Sequence, residues 1–352
     1  MSTDYYVQRN NKNLETIERL LENDLPSFCY DYFLAIDSQT STLTRLNYAH
    51  DLKIFFYFIT EKRFRGKLVK DFTLDDLNQI TSTDIEYFLG FLSHYTYCGK
   101  IHNCNDRAKA RKLSSVRAMF KYFFNKGFIS VDNSAKVATP KIHEKPIIRL
   151  DGNEIYNIID TAESGAGLTR HQLAYHEKNK VRDSAILMLF LGTGIRISEL
   201  VGLNNNDINF NDNSFIVTRK GGNKTILYFD DDVAAALQRY LDYKEQNEKS
   251  VDFSKESNAL FISNNQNRIT VRAVENLVKK YAKIVSPLKK ISPHKLRSTY
   301  GTALYKATGD IYIVADVLGH KDVNTTRKHY AAISDDNRRA VAGKVKLKRD
   351  EE

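Results

Sequence analysis

Apolar residues recur at helical spacing almost without interruption from Asp24 to about Ser134, and residues of strand type gather only in one short later stretch. This segregation is what most constrains the fold, because a helix period and a strand period cannot share one segment. Ser41 to Ile59 carries Leu43, Leu46, Tyr48, Leu52, Phe55, Phe56 and Ile59 at helical intervals. A second helix is predicted after Thr83, with Asp84 and Glu86 in its first turn and Ile85, Phe88, Leu89 and Leu92 on its apolar side. Residues 107 to 124 form a third, in which Leu113, Val116, Phe120 and Phe123 make one stripe and Arg107, Arg111, Lys112, Arg117 and Lys121 lie mostly off it.

The later half is mixed. An apolar run from Arg182 to Leu191 ends at Gly192 and Gly194, and a short helix follows from near Ile195 to Leu203. In Ser214 to Asp230 two β-rich runs flank Gly221-Gly222-Asn223, a hairpin signal. Ala259 to Ile262 resembles a further strand, and the rest, up to Val345, reads as helical with short breaks. The fold class expected is therefore mainly α, with an all-helical first domain and a mixed α+β second domain holding a small antiparallel sheet. A chain of 352 residues exceeds the usual size of a single core, which also favours two domains. Residues 135–148, with two prolines, have the character of an extended linker, and place the boundary near residue 140.

The formal charge is +10, and residues 100–149 alone hold twelve Lys or Arg against three Asp or Glu. So concentrated a surplus points to a polyanion, and on the 107–124 helix to phosphate contact, although a solvated charged face has the same composition. Cys29, Cys98 and Cys104 are odd in number and lack zinc-ligand spacing, so neither a disulfide framework nor a metal is expected. The first residues show no signal-peptide pattern and no apolar run reaches membrane-spanning length, so a cytoplasmic protein without a membrane partner is expected.

Three segments can carry chemistry. Ser292 and Pro293 form a helix start that places His294 and Arg297 one turn apart near the helix N-terminus, where an anion is favoured. Glycines precede Arg196 in LGTGIRISEL, letting the backbone turn sharply and present the guanidinium at a helix start. In residues 310–330 a short helix closes at Gly319, His320 follows, and Tyr330 lies inside a second helix starting near Asn324. Each segment alone also suits an ordinary surface residue; the order in which they occur is more specific.

That order, TGIRISEL (193–200), RKGGNK (219–224), HKLRSTYGT (294–302), LGH (318–320) and Tyr330 ten residues after His320, resembles the tyrosine recombinase or phage-type integrase family, particularly its bacterial Xer-like members, over roughly residues 25–340. The resemblance implies an N-terminal extension at 1–24, a helical core-binding domain at 25–138, a linker at 139–148 and a catalytic domain with a C-terminal tail at 149–352. It also implies catalytic roles for Arg196, Lys220, His294, Arg297, His320 and Tyr330, with Glu199 in support. DNA contacts are expected from Arg107, Arg111, Lys112, Arg117, Lys121 and Lys224. Double-stranded DNA carrying a specific site would be the partner, a homotetramer on two sites the assembly, and no cofactor or metal is needed. The hairpin departs from the common Gly-Lys-Gly, which leaves Lys224 as a second candidate lysine. Residues 163–181 are longer and more polar than usual and fit an accessory contact, and His329 has no assigned role. A type IB topoisomerase and a catalytically inactive DNA-binding relative are the alternatives, the latter disfavoured because the catalytic positions are filled.

Overall fold

The structure, a computed structural model, describes residues 5–143, 147–219, 222–247, 258–320 and 322–323. The chain divides into two compact units, Met1–Lys145 and Pro146–Glu352.

In the first unit α1 (Tyr5–Asn23), α2 (Cys29–Ala35), α3 (Thr42–Lys62), α4 (Leu74–Asn78) and α5 (Ser82–Phe91) precede a two-stranded hairpin, β1 (Tyr95–Tyr97) and β2 (Lys100–His102), and then α6 (Asp106–Asn125). Side-chain caps start several of these helices. Ser41 accepts from the Thr44 N–H, Thr81 and Asp84 form a reciprocal capping box, and Asn105 accepts from the Ala108 N–H. Thr81, not Thr83, is thus the cap of α5. The core is built on edge-to-face aromatic pairs, with Phe55 against Phe56 and Phe88, and Phe28 against Phe123. The apolar stripe expected of residues 107–124 is buried in full.

Two expectations for this unit require correction. Residues assigned to an N-terminal extension form α1, whose Ile17, Leu20 and Leu21 join the same core; the polar residues between them mask this narrow stripe. The all-helical reading also missed β1–β2, in which Tyr95 pairs with His102 and the two rings stack. Its turn runs through Cys98 at φ +48° and Gly99 at φ +72°, and cysteine is not among the residues that announce such a turn.

The second unit contains α7 (Gly152–Ser164), α8 (Arg170–Thr193), α9 (Ile197–Gly202), a sheet of β3 (Ile208–Asn209), β4 (Ser214–Thr218) and β5 (Lys224–Tyr228), then α10 (Asp231–Asn247), α11 (Val271–Val285), α12 (Pro293–Thr308) and α13 (Ile311–Leu318). The sheet is antiparallel in the order β3-β4-β5, with Phe215 opposite Leu227 and Thr218 opposite Lys224. The expected hairpin is therefore present. Ala259 to Ile262 makes only isolated bridges, Asn204 with Ala259 and Ile262 with Arg268.

Most of the polar segment 163–181 is helix. Thr169 and Gln172 cap α8 reciprocally, and the helix runs through the apolar part and past Gly192 to Gly194. The helix also carries a buried polar network around Asp183. Asp183 accepts from Arg182, from Lys280 at 2.9 Å and from the Tyr281 hydroxyl at 2.9 Å, while His176 Nδ1 lies 3.2 Å from the same hydroxyl. This buried network ties α8 to α11, while most residues of 163–181 itself are exposed.

Glu154 makes a comparable tie at the start of α7. Its carboxylate accepts from the Asp151 N–H at 2.8 Å, from Lys289 at 2.5 Å and from the Ser286 hydroxyl. Burial raises its pKa, but these three donors outweigh burial and hold it at about 2. A depressed acid stabilises the fold above its unfolded pKa, and that stability is lost as pH falls towards the folded value. Glu154→Gln is expected to lower stability by about 1–3 kcal/mol at pH 7. Melting curves should show the gap from wild type closing as pH falls from about 4.3 towards about 2; a constant gap would contradict the assignment.

Candidate active site

The second unit gathers cationic side chains around the C-terminal end of α13. Arg196 follows the turn that closes α8, where Gly194 adopts φ +62°. A Cβ on Gly194 would lie 2.4 Å from the Tyr300 ring and 2.9 Å from Leu318, so both conformation and space demand glycine. The Arg196 N–H donates to Glu199 Oε2 at 3.0 Å and its Nη1 to Oε1 at 2.8 Å, so the buried carboxylate holds backbone and side chain together. Arg196 Nη2 reaches the Gly319 carbonyl at 2.8 Å. About a third of its side chain remains exposed.

Arg297, on the second turn of α12, is only 5% exposed. Its Nη1 donates to the Gly194 carbonyl at 2.5 Å and its Nη2 to the Leu318 carbonyl. Arg196 and Arg297 thus meet at the C-cap of α13, where unpaired carbonyls and the negative end of the helix dipole favour cations. His320 follows that cap directly, and its N–H donates to the Ala315 carbonyl at 2.9 Å. His294 is the second residue of α12 and is exposed, in contrast to Arg297 one turn later. Ser292 occupies the expected N-cap position, but its side chain makes no capping bond; Pro293 and the Ser292 carbonyl shape this start.

One site residue escaped sequence reasoning. Arg219, just beyond β4, donates to the Leu318 carbonyl at 3.0 Å and the Val317 carbonyl at 3.1 Å, and lies 3.7 Å from Glu199 Oε1. Burial lowers its pKa, Glu199 opposes that, and Arg196 adds to it. Strand alternation could have revealed it, since Phe215 and Val217 point inward, Ile216 is exposed, and Arg219 continues the inward series.

Lys220 and Tyr330 lie outside the described residues, as do His329 and the tail from Ser334 to Lys348. Lys224 opens β5 and is exposed. On α6, Arg107 and Lys121 are exposed, as expected for phosphate contact. Lys112 is not: it is buried against the fully buried Asp51, with Nζ 2.8 Å from Oδ1. Arg111 and Ser115 complete that carboxylate's shell, although much of the Arg111 side chain is exposed. Arg117 is spent on the Ser134 and Val137 carbonyls and the Thr139 hydroxyl. Buried Asp51 turns cations inward on α6, a pairing that helical periodicity does not show. No described helix is long and apolar enough to cross a membrane.

Comparison with known proteins gives the family. The model of the phage integrase family matches residues 149–337. Tyrosine recombinase XerC of Syntrophus aciditrophicus (strain SB) is 30% identical over 308 residues, covering 87% of this chain and 92% of the relative. Tyrosine recombinase XerS of Streptococcus uberis (strain ATCC BAA-854 / 0140J) is 29% identical over 348 residues, covering 90% and 95%. Among solved structures, the XerH site-specific recombinase in a post-cleavage complex with a palindromic difH substrate superposes with a TM-score of 0.61 at 17% identity, covering 82% of this chain and 76% of that one. The Tn1549 transposon integrase in complex with transposon right end DNA gives 0.61 at 20% identity, covering 90% and 98%. With the family model matching more than half of the chain and a relative 30% identical over most of its length, the chain belongs to the phage integrase family and is a tyrosine recombinase of the Xer-like kind.

Proposed function

We propose that this enzyme performs site-specific recombination on double-stranded DNA by way of a covalent 3′-phosphotyrosyl intermediate and a Holliday junction. The observation that carries the reading is the convergence of Arg196 and Arg297 on the cap that precedes His320. Attack on a phosphodiester adds negative charge to its non-bridging oxygens, and two permanently charged forks answer that need. Phosphate would take over from backbone carbonyls as their acceptor, while Glu199 keeps Arg196 oriented.

In the reaction the Tyr330 hydroxyl forms a bond to phosphorus and the bond from phosphorus to the 5′-oxygen breaks. His294 accepts the phenolic proton and Lys220 protonates the departing oxygen, with His320 donating a hydrogen bond to the phosphate or orienting the tyrosine. One phosphodiester replaces another, so the balance requires neither ATP nor a metal. Arg107, Arg111, Lys121 and Lys224 are the proposed phosphate contacts. Lys112 and Arg117 are reassigned to packing. The active assembly is a homotetramer on two DNA sites, linked in part by the tail from Ser334 to Lys348.

The test is to select a DNA site from random sequence with the purified protein and to place it twice on a supercoiled plasmid. Recombinant products are expected only when both sites are present. Relaxation without recombinants would favour a type IB topoisomerase, and binding without cleavage an inactive relative. The two hairpin lysines separate in the same system. Lys220→Ala should cleave ordinary DNA slowly and recover on a substrate with sulfur at the scissile 5′-bridging position, because a thiol leaves readily without a proton, its pKa being about 8.5. Lys224→Ala should show a smaller defect that sulfur does not repair; selective rescue of Lys224→Ala would reverse the two assignments.

A further inference from the structure

The C-cap of α13 is fastened from a third side, by Arg219. We propose that Arg219 is a positioning residue that locks the β4–β5 hairpin to this cap, so that the hairpin lysines and His320 are presented to the DNA as one piece. The proposal rests on the recombinase reading for its function, though the mechanical link stands on geometry alone.

Three sets of contacts define the lock. The Arg219 backbone belongs to the hairpin, since its N–H donates to the Asn223 carbonyl at 2.8 Å and its carbonyl accepts from the Gly222 N–H at 3.0 Å. Its guanidinium belongs to the other element, with one nitrogen on the Leu318 carbonyl and one on the Val317 carbonyl. That fork spans adjacent carbonyls, a geometry that a single ammonium cannot copy. The third contact is Glu199, which sits 2.8 Å from Arg196 Nη1 and 3.7 Å from Arg219 Nη1 and so couples the lock to Arg196.

Gly319 completes the fit. It holds φ +59°, and a Cβ there would meet Arg219 Nη1 at 2.4 Å and Cζ at 2.7 Å. The glycine therefore both closes α13 and leaves room for the guanidinium to lie flat on the cap. Arg219 touches no reacting atom in this arrangement. It acts through the positions of Lys220, its chain neighbour, and of His320, the residue after Gly319.

The experiment uses the full chain and a nicked duplex carrying the selected site. Arg219→Gln is expected to bind this duplex within about twofold of wild type but to cleave it about 10²-fold more slowly, the cost of misplacing groups by about 1 Å. Arg219→Lys should recover little of the loss. In the DNA-free protein, hydrogen exchange should quicken in both β4 and the C-terminal end of α13 in these variants, while α7 and α8 exchange as in wild type. That control separates loss of the lock from loss of the fold. Gly319→Ala should cost more in the wild-type background than in Arg219→Ala, because the clash is then relieved. Quickened exchange in only one of the two segments, wild-type cleavage by Arg219→Gln, or additive effects with Gly319→Ala would overturn the proposal. If the wild-type protein forms no covalent adduct with the selected site, the recombinase reading fails instead, and the exchange measurements still decide whether the lock exists.

Discussion

Tyr330→Phe is expected to bind its DNA site as wild type does and to lose covalent adduct formation by about 10⁴-fold or more, the scale on which enzymes fail when a nucleophile is removed. Only one oxygen is lost and the aromatic ring is kept, so the variant removes the nucleophile and little else. Adducts are counted after denaturation in detergent, where non-covalent complexes fall apart. Adducts at a wild-type level in Tyr330→Phe would assign the nucleophile elsewhere.

The second large effect belongs to Arg297. It is buried and donates to the carbonyls of Gly194 and Leu318, so it joins the turn before Arg196 to the end of α13. Arg297→Lys keeps the charge and loses the fork. Cleavage should fall about 10²–10³-fold, as when a preorganised donor is removed from a transition state. Stability should fall as well, by about 1–3 kcal/mol, because a buried carbonyl is left without its donor. Arg196→Lys should show a similar loss of cleavage with little loss of stability, since the Arg196 side chain is about a third exposed. Denaturant melts and single-turnover cleavage on the same samples separate the two roles; equal stability losses in both variants would contradict the distinction.

Much of this arrangement was legible in the sequence because its parts obey local rules. Leu113, Val116, Phe120 and Phe123 share one helical stripe and are buried together. Gly194 and Gly319 stand where a left-handed residue must close a helix, and both do so. The pairing of β4 with β5 follows from β-rich runs on either side of the hairpin turn. What was not legible depends on distant partners. Lys112 looks like a surface cation until Asp51, on another helix, is placed beside it. Asp183 looks like an interruption of the apolar run after Arg182 until Lys280 and Tyr281, on another helix, are placed beside it. Arg219 looks like a second basic residue beside Lys220 until the end of α13 arrives beneath it. In each case the deciding term is compensation of a buried charge, which helical or strand periodicity does not carry.

The central claim is that Tyr330 becomes joined to a DNA 3′-phosphate. The most direct measurement traps the adduct on a nicked duplex, digests protein and DNA, and identifies the nucleotide-bearing peptide by mass spectrometry. A single modified peptide is expected, with the 3′-phosphate on Tyr330 and a free 5′-hydroxyl on the other DNA end. A nucleotide attached to another residue, or a link through a 5′-phosphate, would contradict it.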